Sequence, residues 1–135
     1  MTLVISINSM KGGSLKTTNS VNLASCFADL GYRTLLIDMD PQGNATTYLG
    51  VNESECKYTV TNLLASKSNG KYEHKNLEEL IVGIKENLYL IPSNLYLNDA
   101  LRFLWMDTQR PSEVLAKELS KPIVQEIFDV VFLDS

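Results

Sequence analysis

A short apolar run, Leu3-Val-Ile-Ser-Ile7, is followed by Lys11-Gly-Gly-Ser-Leu-Lys-Thr-Thr18 and then by a helical pattern beginning at Thr17. A strand that passes through a glycine loop straight into a helix starts a βαβ unit, and such units build a parallel sheet with right-handed crossovers. The same order, with Lys-Thr at the helix start, is the arrangement that cradles nucleotide phosphates. Loop and first-turn N–H groups point at the anion, and the helix dipole adds positive potential there. In that arrangement Lys16 reaches the β- and γ-phosphates, and the Thr17 hydroxyl ligates Mg²⁺. Met10 and Leu15 stand where the usual G-x-x-x-x-G-K-[ST] pattern has its two glycines. The competing reading is a glycine-rich turn that binds nothing.

A second motif is Leu35-Leu-Ile-Asp-Met-Asp-Pro-Gln-Gly-Asn-Ala-Thr46. An apolar strand ends in Asp38 and Asp40, and open α/β sheets carry their chemistry at the carboxyl ends of strands. Period-2 alternation puts both carboxylates on one side of an extended chain, so both can face the phosphate loop. Alternatively they cap the next helix and shape a turn. A third motif is Phe128-Asp-Val-Val-Phe-Leu-Asp-Ser135, a strand finishing in Asp134. Its carboxylate is suited to accept a hydrogen bond from a Mg²⁺-bound water or from the Thr17 hydroxyl.

Together these segments resemble the ParA/MinD ATPases, whose deviant Walker A box reads K-G-G-x-G-K-[ST]-[ST]. Lys11 matches the signature lysine, which in that family crosses a dimer interface to the partner's nucleotide. Lys16 matches the ordinary P-loop lysine, whereas Leu15 departs from a glycine or alanine beside the phosphates. A leucine there is expected to crowd the site or restrict the backbone, since glycine alone is free at positive φ. The Asp-Pro-Gln-Gly-Asn segment is similar to that of ParA/Soj-type partition ATPases, and Leu88-Tyr-Leu-Ile-Pro-Ser93 and the Asp134 strand are similar to further family segments. The resemblance implies an ATP and Mg²⁺ site formed by Lys11, Gly12, Gly13, Ser14, Leu15, Lys16, Thr17 and Thr18. It implies that Lys11 and Asp40 are catalytic, Asp40 holding the attacking water, and that Thr17, Asp38 and Asp134 serve the metal.

The implied fold is an α/β, doubly wound parallel sheet of the P-loop NTPase type, with residues 1–135 a single domain that is incomplete because the resemblance covers about the first half of a family domain. The implied function is slow ATP hydrolysis by a nucleotide-sandwiched homodimer in plasmid or chromosome segregation, stimulated by a ParB-like centromere-binding protein. Nonspecific DNA binding belongs to the missing C-terminal half. The alternative is a truncated or degenerate member acting as a non-catalytic binding or regulatory module. A membrane-associated MinD-like switch would need a C-terminal amphipathic helix.

The rest of the chain bounds these readings. Its net charge of −4 argues against a general nucleic-acid binder. No apolar run approaches a membrane span of about 20 residues, and no signal peptide precedes the first strand, which makes the cytoplasm the expected location and a membrane partner unexpected. Cys26 reads as buried core, Cys56 as part of a polar stretch, and His74 as a solvated loop residue. Expected elements are strands at Leu3–Asn8, Thr34–Asp38, Asn87–Ser93 and Val130–Leu133. Expected helices are Thr17–Leu30 (stopped by Gly31, with Val21, Leu23, Ala24, Phe27, Ala28 and Leu30 on its apolar face), Ala45–Leu49, Val60–Ser66, Leu77–Ile84, Leu97–Trp105 and Glu113–Phe128, with Pro122 kinking or restarting the last. Leu101, Phe103, Leu104 and Trp105 read as core.

Overall fold

The computed structural model describes residues 1–8, 14–68 and 71–135, with the side chains of Ser14 and Leu15 outside the description. In chain order the elements are β1 (Leu3–Ile7), α1 (Ser14–Asp29), β2 (Thr34–Asp38), α2 (Asn44–Tyr48), α3 (Val60–Leu63), β3 (Val82–Lys85), β4 (Leu88–Ile91), α4 (Leu97–Met106), α5 (Pro111–Leu119), α6 (Pro122–Ile127) and β5 (Val130–Asp134). The sheet order is β1-β5-β2-β4-β3. β1, β5, β2 and β4 run parallel, and β3 joins antiparallel at the β4 edge.

Alternation along the central strands splits the core into two layers, as a sheet covered on both faces requires. Leu36, Leu88, Leu90, Val130 and Phe132 meet Val21, Ala24 and Ala28 of α1 and Ala45 of α2. Leu35, Ile37, Ile91 and Val131 point the other way, onto α3 to α6 through Leu63, Leu97, Leu104, Leu115, Leu119 and Val124. The sheet is therefore doubly wound and mostly parallel. Asp38 and Asp134 continue the even-numbered rows of β2 and β5, which aims both at the α1 layer.

Helix α1 starts at Ser14, three residues before the expected Thr17. Its end follows the expectation. Gly31 sits at φ 98° and donates to Ala28 O at 3.0 Å, and Tyr32 N–H reaches Phe27 O at 3.0 Å. This is a Schellman stop, which needs the left-handed conformation glycine adopts most cheaply. The buried stripe of α1 is narrow: Val21, Ala24 and Ala28 are buried at i, i+3, i+7 spacing, small enough to let the helix lie close on the sheet. Leu23 and Leu30, expected on the apolar face, are 47% and 73% exposed, and Cys26, expected in the core, is exposed as well.

Three further expectations change, and one is resolved among its alternatives. Leu77–Ile84 is not a helix: a short 3₁₀ turn, Leu77–Glu79, gives way to β3, which pairs Val82 with Leu90 and Gly83 with Tyr89. The β-branched Ile81, Val82 and Ile84 favour a pleated strand, and the tight turn Glu86–Asn87, with Asn87 at φ 65°, closes the hairpin. The region 113–128 is two helices, with Pro111 and Pro122 each in the first turn of its own. Proline lacks the N–H that an interior position must donate, so of the expected outcomes at Pro122 it is the restart that occurs, as α6. Trp105 is 58% exposed while its neighbour Leu104 is buried. The Val60 helix stops at Leu63, short of Ser66.

Candidate functional site

Asp38 and Asp134 are register partners at the carboxyl ends of adjacent strands, and both are fully buried. A buried carboxylate must be paired or hydrogen-bonded to stay charged. Each is satisfied differently, and that difference organises the site.

Asp134 faces the first turns of α1. Lys16 Nζ lies 3.0 Å from its Oδ1, with the lysine side chain only 8% exposed. The Ser20 hydroxyl donates to the same oxygen at 2.9 Å, and the Thr17 hydroxyl donates to Oδ2 at 3.3 Å. Ser20 stands four residues from Lys16 and three from Thr17, the spacings that 3.6-residue periodicity brings together, so the three side chains flank one stripe of α1. The sequence expectation that Asp134 meets the Thr17 hydroxyl matches this geometry. Ser20 was not anticipated, although its position four residues beyond Lys16 was a readable signal.

Asp38 faces its own loop. Its Oδ1 accepts from Asp40 N–H at 3.0 Å, and its Oδ2 accepts from Thr46 N–H at 2.9 Å and from the Thr46 hydroxyl at 2.7 Å. Burial raises its pKa; the bonds from Thr46 and Asp40 oppose that shift, and the negative charge of Asp134 adds to it. The resemblance gave Asp38 to the metal shell. Here both of its oxygens accept from residues 40–46, which ties the carboxylate to its own loop.

Asp40 lies beyond the strand end and is half-buried. Its carboxylate accepts from Gln42 N–H at 3.0 Å and from Asn44 Nδ2 at 2.7 Å, and its carbonyl accepts from Gly43 N–H at 2.9 Å. The two aspartates thus part at the strand end, one buried against the sheet and one in the turn. Gly43 closes that turn at φ 65°. A Cβ there would stand 3.6 Å from Ser93 O, ordinary contact, so the constraint is conformational and not spatial. Gly43→Ala is expected to cost about 1 kcal/mol, the left-handed penalty of an L-residue, read as a lowered urea midpoint.

Of the other expected site residues, Lys11, Gly12 and Gly13 lie outside the described residues. Ser14 and Leu15 belong to the first turn of α1. Right-handed helical backbone at Leu15 removes the expected need for glycine's freedom at positive φ. Thr18 is half-buried on α1, between Thr17 and Ser20 in the chain. His74 is half-buried, its Nδ1 3.2 Å from Ala65 O, so it is tied to the backbone and not free in solvent. No described helix is long and apolar enough to cross a membrane.

A lysine ammonium, a helix-borne hydroxyl and a strand-end carboxylate converge here where a glycine-bearing segment enters a helix. A family model described as an AAA domain matches residues 2–135. The sporulation initiation inhibitor protein Soj of Bacillus subtilis is 34% identical over 131 residues, covering 97% of this chain and 48% of Soj. Cobyrinic acid a,c-diamide synthase from Mycobacterium smegmatis, solved with bound ADP and magnesium, superposes with a TM-score of 0.83 at 29% identity, covering 99% of this chain and 51% of that one. A plasmid partition protein from Borrelia burgdorferi gives 0.73 at 27% identity, covering 99% and 56%. The chain therefore spans about half the length of these relatives. It belongs to the AAA domain family, and across its length it is similar to partition proteins of the ParA/Soj type.

Proposed function

We propose that this chain is a P-loop nucleotide-binding domain that takes ATP with Mg²⁺, and that it hydrolyses the nucleotide slowly as part of a cytoplasmic plasmid or chromosome partition machine. The observation that carries the reading is the buried Lys16–Asp134–Thr17 cluster at the α1 N-terminus. The residues present fit a magnesium nucleotide: Thr17 and Asp134 are hard oxygen donors of the kind Mg²⁺ prefers, and Lys16 is a compact cation on a flexible stem. Bound Mg²⁺ would neutralise charge building on the phosphates.

In this reading Lys16 exchanges its contact with Asp134 for the β- and γ-phosphates, and the backbone from Gly12 to Thr18 cradles them. Thr17 and Asp134 hold the metal and its waters, and Asp38 adds negative charge behind them. Asp40 holds the attacking water in line, since positioning is most of what phosphoryl transfer asks of a protein. Lys11 acts across a nucleotide-sandwiched homodimer. A ParB-like centromere-binding protein stimulates turnover, and DNA contacts belong to a further part of the family domain.

Calorimetric titration with Mg-ATP, repeated with EDTA, tests the core of the proposal. Binding that requires the metal supports it; no binding by the chain refutes it. Asp40→Ala is expected to keep the affinity and lose hydrolysis, as read by phosphate release. Normal hydrolysis by that variant would remove Asp40 from the chemistry. Metal-dependent binding without any turnover by the unsubstituted chain would favour a non-catalytic module.

A further inference from the structure

The Asp40 loop is held at both ends by a single carboxylate. Asp38 Oδ1 takes the N–H of Asp40 at the loop's start, and Oδ2 takes the N–H and the hydroxyl of Thr46 at its end. The Thr46 hydroxyl does more than cap Asp38. It also accepts from Ser93 N–H at 3.0 Å, just past the end of β4. A threonine hydroxyl has one proton to give, and Ser93 N–H can only donate, so that proton is committed to Asp38. Thr46 and Ser93 are both buried, so neither bond can be replaced by bulk water without opening the site.

We infer that Thr46 is a positioning residue for Asp40: its hydroxyl latches residues 40–46 to the ends of β2 and β4 and so fixes the turn that presents the Asp40 carboxylate. Through one oxygen atom the latch joins the end of β2 and the start of α2 to the segment just past β4, 47 positions from Thr46. Removing it frees the loop's far end, takes from the Ser93 N–H its described acceptor, and leaves Asp38 with two of its three described donors. Asp40 keeps its local bonds to Gln42 and Asn44 but loses the fixed frame that relates it to the Asp134 cluster. Asp38 is accordingly a clamp on the loop. The catalytic half of this inference rests on the proposed ATP reading; the latch itself does not.

Two variants of the chain separate these statements. Thr46→Val keeps the branched shape and deletes the hydroxyl, and Thr46→Ser keeps the hydroxyl. Amide hydrogen exchange should rise about tenfold at residues 40–46 in Thr46→Val, the scale of one lost buried hydrogen bond, with β2 and β5 unchanged and with Thr46→Ser close to the parent. Turnover of Mg-ATP should fall by about tenfold or more in kcat with KM nearly unchanged, and return in Thr46→Ser. Exchange unchanged in Thr46→Val, or raised across β2 and β5 as well, overturns the latch, as does a Thr46→Ser variant that behaves like the valine. Faster loop exchange with full turnover overturns the positioning role. If the parent chain does not bind Mg-ATP, the proposed function falls, and the exchange pattern alone decides the latch.

Discussion

Asp134→Ala is expected to destabilise the folded chain by about 3–5 kcal/mol, the cost of removing one partner from a buried ion pair. The alanine leaves the Lys16 ammonium, 8% exposed, without its counter-charge and takes the Asp134 acceptor from the Thr17 hydroxyl, while the Ser20 hydroxyl keeps the Lys16 carbonyl at 3.0 Å. Small domains have a net stability of about 5–15 kcal/mol, so the variant should sit near its unfolding threshold. Urea denaturation reads this as a lower midpoint at unchanged slope. Asp134→Asn should lose less, because its carbonyl can still accept from Ser20. A cost below about 1 kcal/mol for the alanine, the range of exposed pairs, would mean that Lys16 reaches solvent once released and that the cluster is not a sealed one.

Lys16→Ala is expected to weaken Mg-ATP binding by about 30-fold to several thousand-fold. That range is the 2–5 kcal/mol cost of truncating a buried, hydrogen-bonded charge partner, converted at about 1.4 kcal/mol per tenfold. Two effects of the substitution must be kept apart. The nucleotide loses its cation, and among the described residues Asp134 is left buried with the Ser20 and Thr17 hydroxyls. Lys16→Arg separates them: guanidinium keeps a charge beside Asp134 but presents a planar fork in place of a compact ammonium. Weak binding in both variants, with the arginine form as stable as the parent, would assign the loss to phosphate recognition. Undiminished affinity in a folded Lys16→Ala protein would take the nucleotide away from this cluster.

Much of the architecture was legible because its signals are local. The glycine at 31, the β-branched and leucine runs of β2 and β5, and the proline at 122 act on the backbone where they stand. Elements whose identity depends on a partner were harder. The segment 77–84 carries apolar residues that fit a helix, yet pairing with β4 makes its second half part of a strand, since strand preference is largely a matter of what lies alongside. The apolar residues of α1 likewise exceed what its buried stripe can use, so Leu23 and Cys26 face outward, as does Leu30 just past its end.

The sequence by itself determined the βαβ order, the two strand-end aspartates, and the lysine and threonine that open α1, because each is written in contiguous residues with a fixed local geometry. Only the tertiary structure decided how these residues are shared out. Parallel pairing of β2 with β5 sets Asp38 beside Asp134, a relation between residues 96 positions apart that no local pattern records. Once side by side and buried, two like charges must find separate donors. Helix α1 supplies Lys16, Thr17 and Ser20 to Asp134, and the loop supplies Asp40 and Thr46 to Asp38. That division follows from which element packs over each strand end, and it comes into being only when the sheet closes.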